Sequence, residues 1–169
     1  MKVSKLTLVV LTVFCLNSLS AQLDWMVANK HYEMGEYELA VDSYKSIVEN
    51  GNADESTMVR MADALRHMGR LTEAADWYGQ VASMEKPSKE FIFQYAQTLK
   101  SLGKYEEAIK FLERAWSLDK NPEIAAHLGE VLWVSGERDK AMQIWREGQA
   151  QQADNRILLE TLERLDIEL

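Results

Sequence analysis

The chain has 169 residues, enough for one ordinary domain or one short repeat array, and a 47% hydrophobic content lets it bury a core. Only two prolines and eight glycines stand among plentiful Ala, Leu, Glu, Lys, Met and Gln, which favours helix almost everywhere and argues against extensive disorder. A formal charge of −8 argues against a general nucleic-acid role, which needs a concentrated positive surface; the acidity serves solubility or, more sharply, a basic partner.

The first segment, residues 1–21, stands apart. Lys2 and Lys5 form a positive start, an apolar stretch runs from Leu6 to Leu19, and Ser18, Ser20 and Ala21 are small. This is the layout of a secretory signal peptide cut near Ala21. The competing reading is a membrane anchor, because the uncharged interval from Leu6 to Leu23 approaches the ~20 residues of a spanning helix. Cys15, the one cysteine, follows Phe14, where a lipoprotein signal normally has a small residue. Cleavage would leave no cysteine, hence no disulfide or zinc-thiolate site, and a formal charge of −10.

Beyond the leader a block recurs. It reads Gly35-Glu36-Tyr37-Glu38-Leu39-Ala40, then Gly69-Arg70-Leu71-Thr72-Glu73-Ala74, Gly103-Lys104-Tyr105-Glu106-Glu107-Ala108 and Gly136-Glu137-Arg138-Asp139-Lys140-Ala141. The successive glycines lie 34, 34 and 33 residues apart. The pattern resembles the tetratricopeptide repeat, whose period is 34. The resemblance divides an array over 22–155 into units of about 21–54, 55–88, 89–121 and 122–155. It implies an all-α, right-handed α-solenoid of about four helix pairs.

Each repeated position has a physical reason. The glycine permits a sharp turn between two antiparallel helices. Ala28 and Ala40, Ala62 and Ala74, Ala96 and Ala108, and Gly129 and Ala141 fall where paired helices cross closely. Tyr44, Tyr78, Leu112 and Trp145 fill one late position of the second helices; Val27, Met61, Tyr95 and Leu128 fill one of the first. Apolar steps of three and four, as in Met58, Met61, Ala62 and Leu65 or Ile92, Tyr95, Ala96 and Leu99, agree with helix. Ser88 caps a helix from Lys89, and Asn121 one opening on Pro122. Asp24, Arg138 and Gly148 depart from the family pattern. Residues 156–169, with Ile157, Leu158, Leu162 and Leu165, read as a C-terminal capping helix over the end of the array, or alternatively as a partner-binding tail.

No catalytic constellation emerges. His31, His67 and His127 share neither a helical metal-pair spacing nor a common repeat position. Asn50, Asn52 and Asp54 begin like a calcium loop, but Glu55 and Met61 stand where its glycine and final glutamate belong. No phosphate-binding, dinucleotide or nucleophile-elbow motif occurs, so no catalytic residue, metal or cofactor is expected.

The resemblance implies instead a concave groove lined by first helices, holding an extended peptide or a helix. Its rows are Trp25, Asn29 and Tyr32; Val59, Asp63 and Arg66; Phe93, Gln97 and Lys100; and Ala126, Glu130 and Trp133, spaced by four and three so that each row shares one helix face. The aromatic members either anchor a ligand or pack between repeats. Basic residues are missing from the early positions of a chaperone-tail clamp, which hold Trp25, Val59 and Phe93. The expectation is an exported, periplasmic, non-enzymatic adaptor with one or more protein partners, no nucleic acid, no small-molecule substrate, and membrane contact only if the leader is retained. The alternatives are a structural subunit that self-associates or is tethered by its leader and, more remotely, an enzyme whose chemistry a partner supplies.

Overall fold

The computed structural model describes residues 20–52, 54–84 and 89–169. The expected leader, Cys15 included, lies outside the described residues except for Ser20 and Ala21, as does the expected Ser88 cap. Among the described residues all regular structure is helical. In order the helices are α1 (20–33), α2 (Tyr37–Glu49), α3 (Glu55–His67), α4 (Leu71–Ala82), α5 (Lys89–Ser101), α6 (Tyr105–Leu118), α7 (Pro122–Val134), α8 (Arg138–Gln151) and α9 (Arg156–Arg164). None is long and apolar enough to cross a membrane. The chain forms two compact units that meet in sequence inside α4, one up to Trp77 and one from Tyr78 onward.

The repeated glycine ends the first helix of each repeat. Gly69 has φ +75 and Gly103 φ +73, a left-handed conformation that a Cβ would strain. In the second turn of this kind, the Gly69 N–H donates to the Arg66 carbonyl at 3.0 Å and the Arg70 N–H to the Leu65 carbonyl at 2.9 Å. The same two bonds recur at Gly35, Gly103 and Gly136, satisfying carbonyls that a helix end would leave without donors. Three helix starts among the described residues carry side-chain caps. Asp54 accepts from the Thr57 N–H at 2.8 Å, Asn121 from Glu123 at 2.8 Å and Asn155 from Leu158 at 3.0 Å. Asn155 follows Asn121 by one repeat, so α9 begins in the register of a further first helix.

In the first unit the core is Ala28, Ala40, Tyr44, Met61, Ala62, Leu65 and Ala74, all essentially inaccessible. Val27 departs from the expectation that it fills the core: it is 52% exposed, with Leu23 and Met26 beside it on α1, because no described element packs ahead of this first helix. In the second unit Tyr78 packs on Phe91 and Tyr95, each with ring centroids 5.8 Å away, and Tyr95 on Phe111 at 4.6 Å. Ala96, Leu112, Leu128 and Trp145 are buried there as well.

Gly129 and Gly148 have packing reasons. A Cβ at Gly129 would overlap the buried Trp145 indole, and one at Gly148 would meet the Ala125 Cβ across the α7–α8 contact. Gly148 therefore permits a close approach of α8 to α7, which offsets its cost of roughly 0.5–1 kcal/mol inside a helix. Helix α9 buries Leu158, Thr161 and Leu162 on this unit.

Candidate functional site

Within the first unit, α1 and α3 present Trp25, Tyr32, Val59, Asp63 and Arg66 half-buried. The covered indole N–H of Trp25 has no hydrogen-bond partner among the described residues. Asn29 corrects the expected row. It is only 7% exposed, and its side-chain oxygen accepts the Tyr44 hydroxyl, so it belongs to the α1–α2 core. Burial pushes the Tyr44 hydroxyl up to about 12, which keeps it a donor.

Tyr32 is the centre of an aromatic group. It meets Tyr37 at 5.7 Å and His67 at 6.2 Å, both edge-on, while Tyr37 and His67 stack at 4.7 Å. The Arg60 guanidinium stands 5.3 Å from the Tyr32 ring centre. Arg66 donates to Asp63 through Nε at 3.3 Å and Nη2 at 3.2 Å. Burial, with the Asp63 charge second, raises the Tyr32 hydroxyl above its ordinary value, while Arg60 and Arg66 pull it down.

Within the second unit, α5 and α7 bring Phe93, Gln97, Lys100, Glu130 and Trp133 to half-buried positions, whereas Ala126 is fully buried. Phe93 faces the His127 ring at 5.5 Å. The Lys100 ammonium donates to Glu130 Oε2 at 2.7 Å and lies 3.3 Å from His127 Nδ1. Arg164, from α9, donates to Glu130 Oε1 at 2.8 Å. His127, Lys100 and Arg164 hold the Glu130 carboxyl well below the usual carboxylate range, against the upward pull of its partial burial. Trp133 leans on the core residue Trp145 at 5.8 Å, and the Arg138 guanidinium stands 4.9 Å from its ring centre.

The predicted residues thus gather half-buried in each unit, apart from Asn29 and Ala126, which are buried. Lys100 and Arg66 are both ion-paired within the chain. Sequence reading missed Arg60, His127, Arg138 and Arg164. For Arg164 a signal existed: it follows Glu130 by one repeat length, so α9 continues the same row. The histidines serve three separate contacts. His31 pairs with Glu36 at 2.6 Å, His67 stacks on Tyr37, and His127 joins the Glu130 group.

Comparison with known proteins agrees with this architecture. No curated protein sequence matches the chain. Among solved structures, YrrB, described as a TPR protein with an unusual peptide-binding site, superposes with a TM-score of 0.78 at 17% identity, over 88% of this chain and 77% of that one. MamA residues 41 to the end from Desulfovibrio magneticus RS-1 gives 0.76 at 16% identity, over 86% and 85%. A further MamA structure gives 0.76 at 16%, over 86% and 82%. These likenesses show the fold, an all-α helical solenoid. The tetratricopeptide repeat family model matches residues 65–125 and 99–164, together more than half of the chain, and the chain belongs to the tetratricopeptide repeat family.

Proposed function

We propose that this protein is an exported adaptor that holds a peptide or helix of a partner protein on the faces built by its first helices, in the service of assembling an envelope complex. The tetratricopeptide repeat is in general a non-enzymatic scaffold of protein–protein interaction. The observation that carries the reading is the gathering of Phe93, Lys100, Glu130 and Trp133 on one half-buried face of α5 and α7. Aromatic side chains beside hydrogen-bonded charges are the composition of protein interfaces, where a few such residues supply most of the affinity. The peptide-binding site named for the similar YrrB supports a peptide as the ligand form. Export rests on the leader, Lys2 and Lys5 ahead of the apolar run from Leu6 to Leu19.

The test is crosslinking of the full chain expressed in a bacterium, with recovery from the periplasmic fraction and identification of the bound proteins. Discrete partners are expected, and Phe93→Ala/Trp133→Ala should lose them while remaining helical. Retention of every partner by that variant would sink the groove reading.

A second reading, a self-associating structural subunit, draws on Leu23, Val27 and Leu39, each just over half exposed on the first unit. It predicts self-crosslinks and a mass above the monomer, with Leu23→Glu/Leu39→Glu restoring the monomer.

A further inference from the structure

The chain as a whole is acidic, yet the face of the second unit is not. Lys100 and Arg164 share the single carboxylate of Glu130, with His127 beside them. Arg138 lies over the Trp133 ring and has no ion pair among the described residues. Among the carboxylates of this unit, Glu160 pairs with Arg156 at 3.7 Å and Glu137 with Lys140. Two permanent cations thus share one carboxylate while a third lies over the Trp133 ring, and the Arg164 side chain is 57% exposed, able to keep its bond to Glu130 and still present N–H groups outward.

From this we infer that the second unit's face, extended onto α9 by Arg164, selects an acidic stretch inside a partner's chain, its carboxylates meeting Arg164 and Arg138 and its apolar side chains lying on Phe93 and Trp133. The inference rests on the adaptor reading and names the partner's chemistry. It reverses the simplest deduction from net charge, under which an acidic protein seeks a basic partner. Charge acts locally, because the Debye length of ~8 Å at physiological salt screens the distant acidic surface from a ligand seated at these cations. A guanidinium is suited to the task, since its planar fork binds a carboxylate in a bidentate way and stacks on an aromatic ring. The recognition does not require a free C-terminus, because the cations sit on α8 and α9 and late on α5, not at the early first-helix positions.

The experiment is fluorescence anisotropy of the full chain with short labelled peptides amidated at the C-terminus. One alternates glutamate with leucine and phenylalanine; two controls replace every glutamate by glutamine or by lysine. The glutamate peptide is expected to bind about tenfold or more tightly than either control, and to weaken as salt rises. Arg138→Glu and Arg164→Glu should each weaken it about tenfold while leaving the lysine peptide no weaker. Arg138 is exposed and outside the core, so this variant reports even where Arg164→Glu disturbs the packing of α9.

Equal binding of the three peptides, or wild-type affinity in both variants, overturns the inference. So does a preference for an oligonucleotide or a phosphorylated peptide over the carboxylate peptide, which would mark a general anion site. If crosslinked partners are lost in Phe93→Ala/Trp133→Ala but no acidic preference exists, this inference falls and the adaptor reading stands. If no peptide binds and only self-crosslinks form, both fall.

Discussion

At the scale of single residues, the fourth repeat resolves its packing by an exchange of sizes. Trp145 is the largest side chain at a position that elsewhere holds Tyr44, Tyr78 or Leu112, and Gly129 is the smallest at a position that elsewhere holds alanine. A methyl group at Gly129 overlaps the indole, so Gly129→Ala should destabilise the protein by about 1–3 kcal/mol, read as a fall in Tm of several degrees. In a Trp145→Leu background the same substitution should cost markedly less, because Leu112 already pairs with alanine at Ala96; additivity of the two changes would refute the size exchange. Glu130 gives a second residue-scale prediction. Its carboxyl is depressed in the folded chain relative to an ordinary value of 4.5, so its stabilisation is complete above that pH and is lost as pH falls below it. Acid titration of stability should therefore be shallower in Glu130→Gln than in the wild type below pH 4.5, with a cost at neutral pH of about 1–2 kcal/mol once solvent access to Arg164 is allowed for.

At the scale of helices, the repeat was legible in the sequence because each of its positions is chemically restricted. Left-handed turns demand the glycines, tight crossings the small residues, and buried late positions the large ones, so period and helix boundaries follow from residue type alone. The face was less legible because side-chain destination depends on the neighbouring helix. Asn29 occupies a row position, but Tyr44 on α2 claims its oxygen; Val27 occupies a core position, but no described helix covers it. Helix α9 shows the same dependence. Its apolar spacing was readable, whereas the reach of Arg164 to Glu130 needed the alignment of one repeat on the next. Because Leu158 is 1% exposed, Leu158→Ala should cost about 2–4 kcal/mol, and loss of the Asn155 cap in Asn155→Ala about 1 kcal/mol. Urea denaturation of both variants checks this; a helix that merely lies on the surface would give changes near zero in each.

At the scale of the whole molecule, the proposed leader and the array would impose different requirements on one chain, and their separation is itself testable. The segment from Leu6 to Leu19 carries no charge, whereas the array carries acidic and basic side chains throughout, none of them buried among the described residues. Repeat proteins are stabilised chiefly by contacts between neighbouring units, so the folding energy of the array is expected to come mainly from the helices described from residue 20 onward. Removal of the leader near Ala21 should then leave helicity and Tm nearly unchanged while releasing the protein from the membrane fraction. Intact-mass measurement of the exported protein is expected to place the new N-terminus at about Gln22, with the formal charge moving from −8 to −10. A full-length mass confined to membranes would instead make the leader an anchor and the array a tethered scaffold. The acidic-peptide preference should survive either outcome, because Lys100, Arg138 and Arg164 all belong to the second unit, which the leader does not adjoin in sequence.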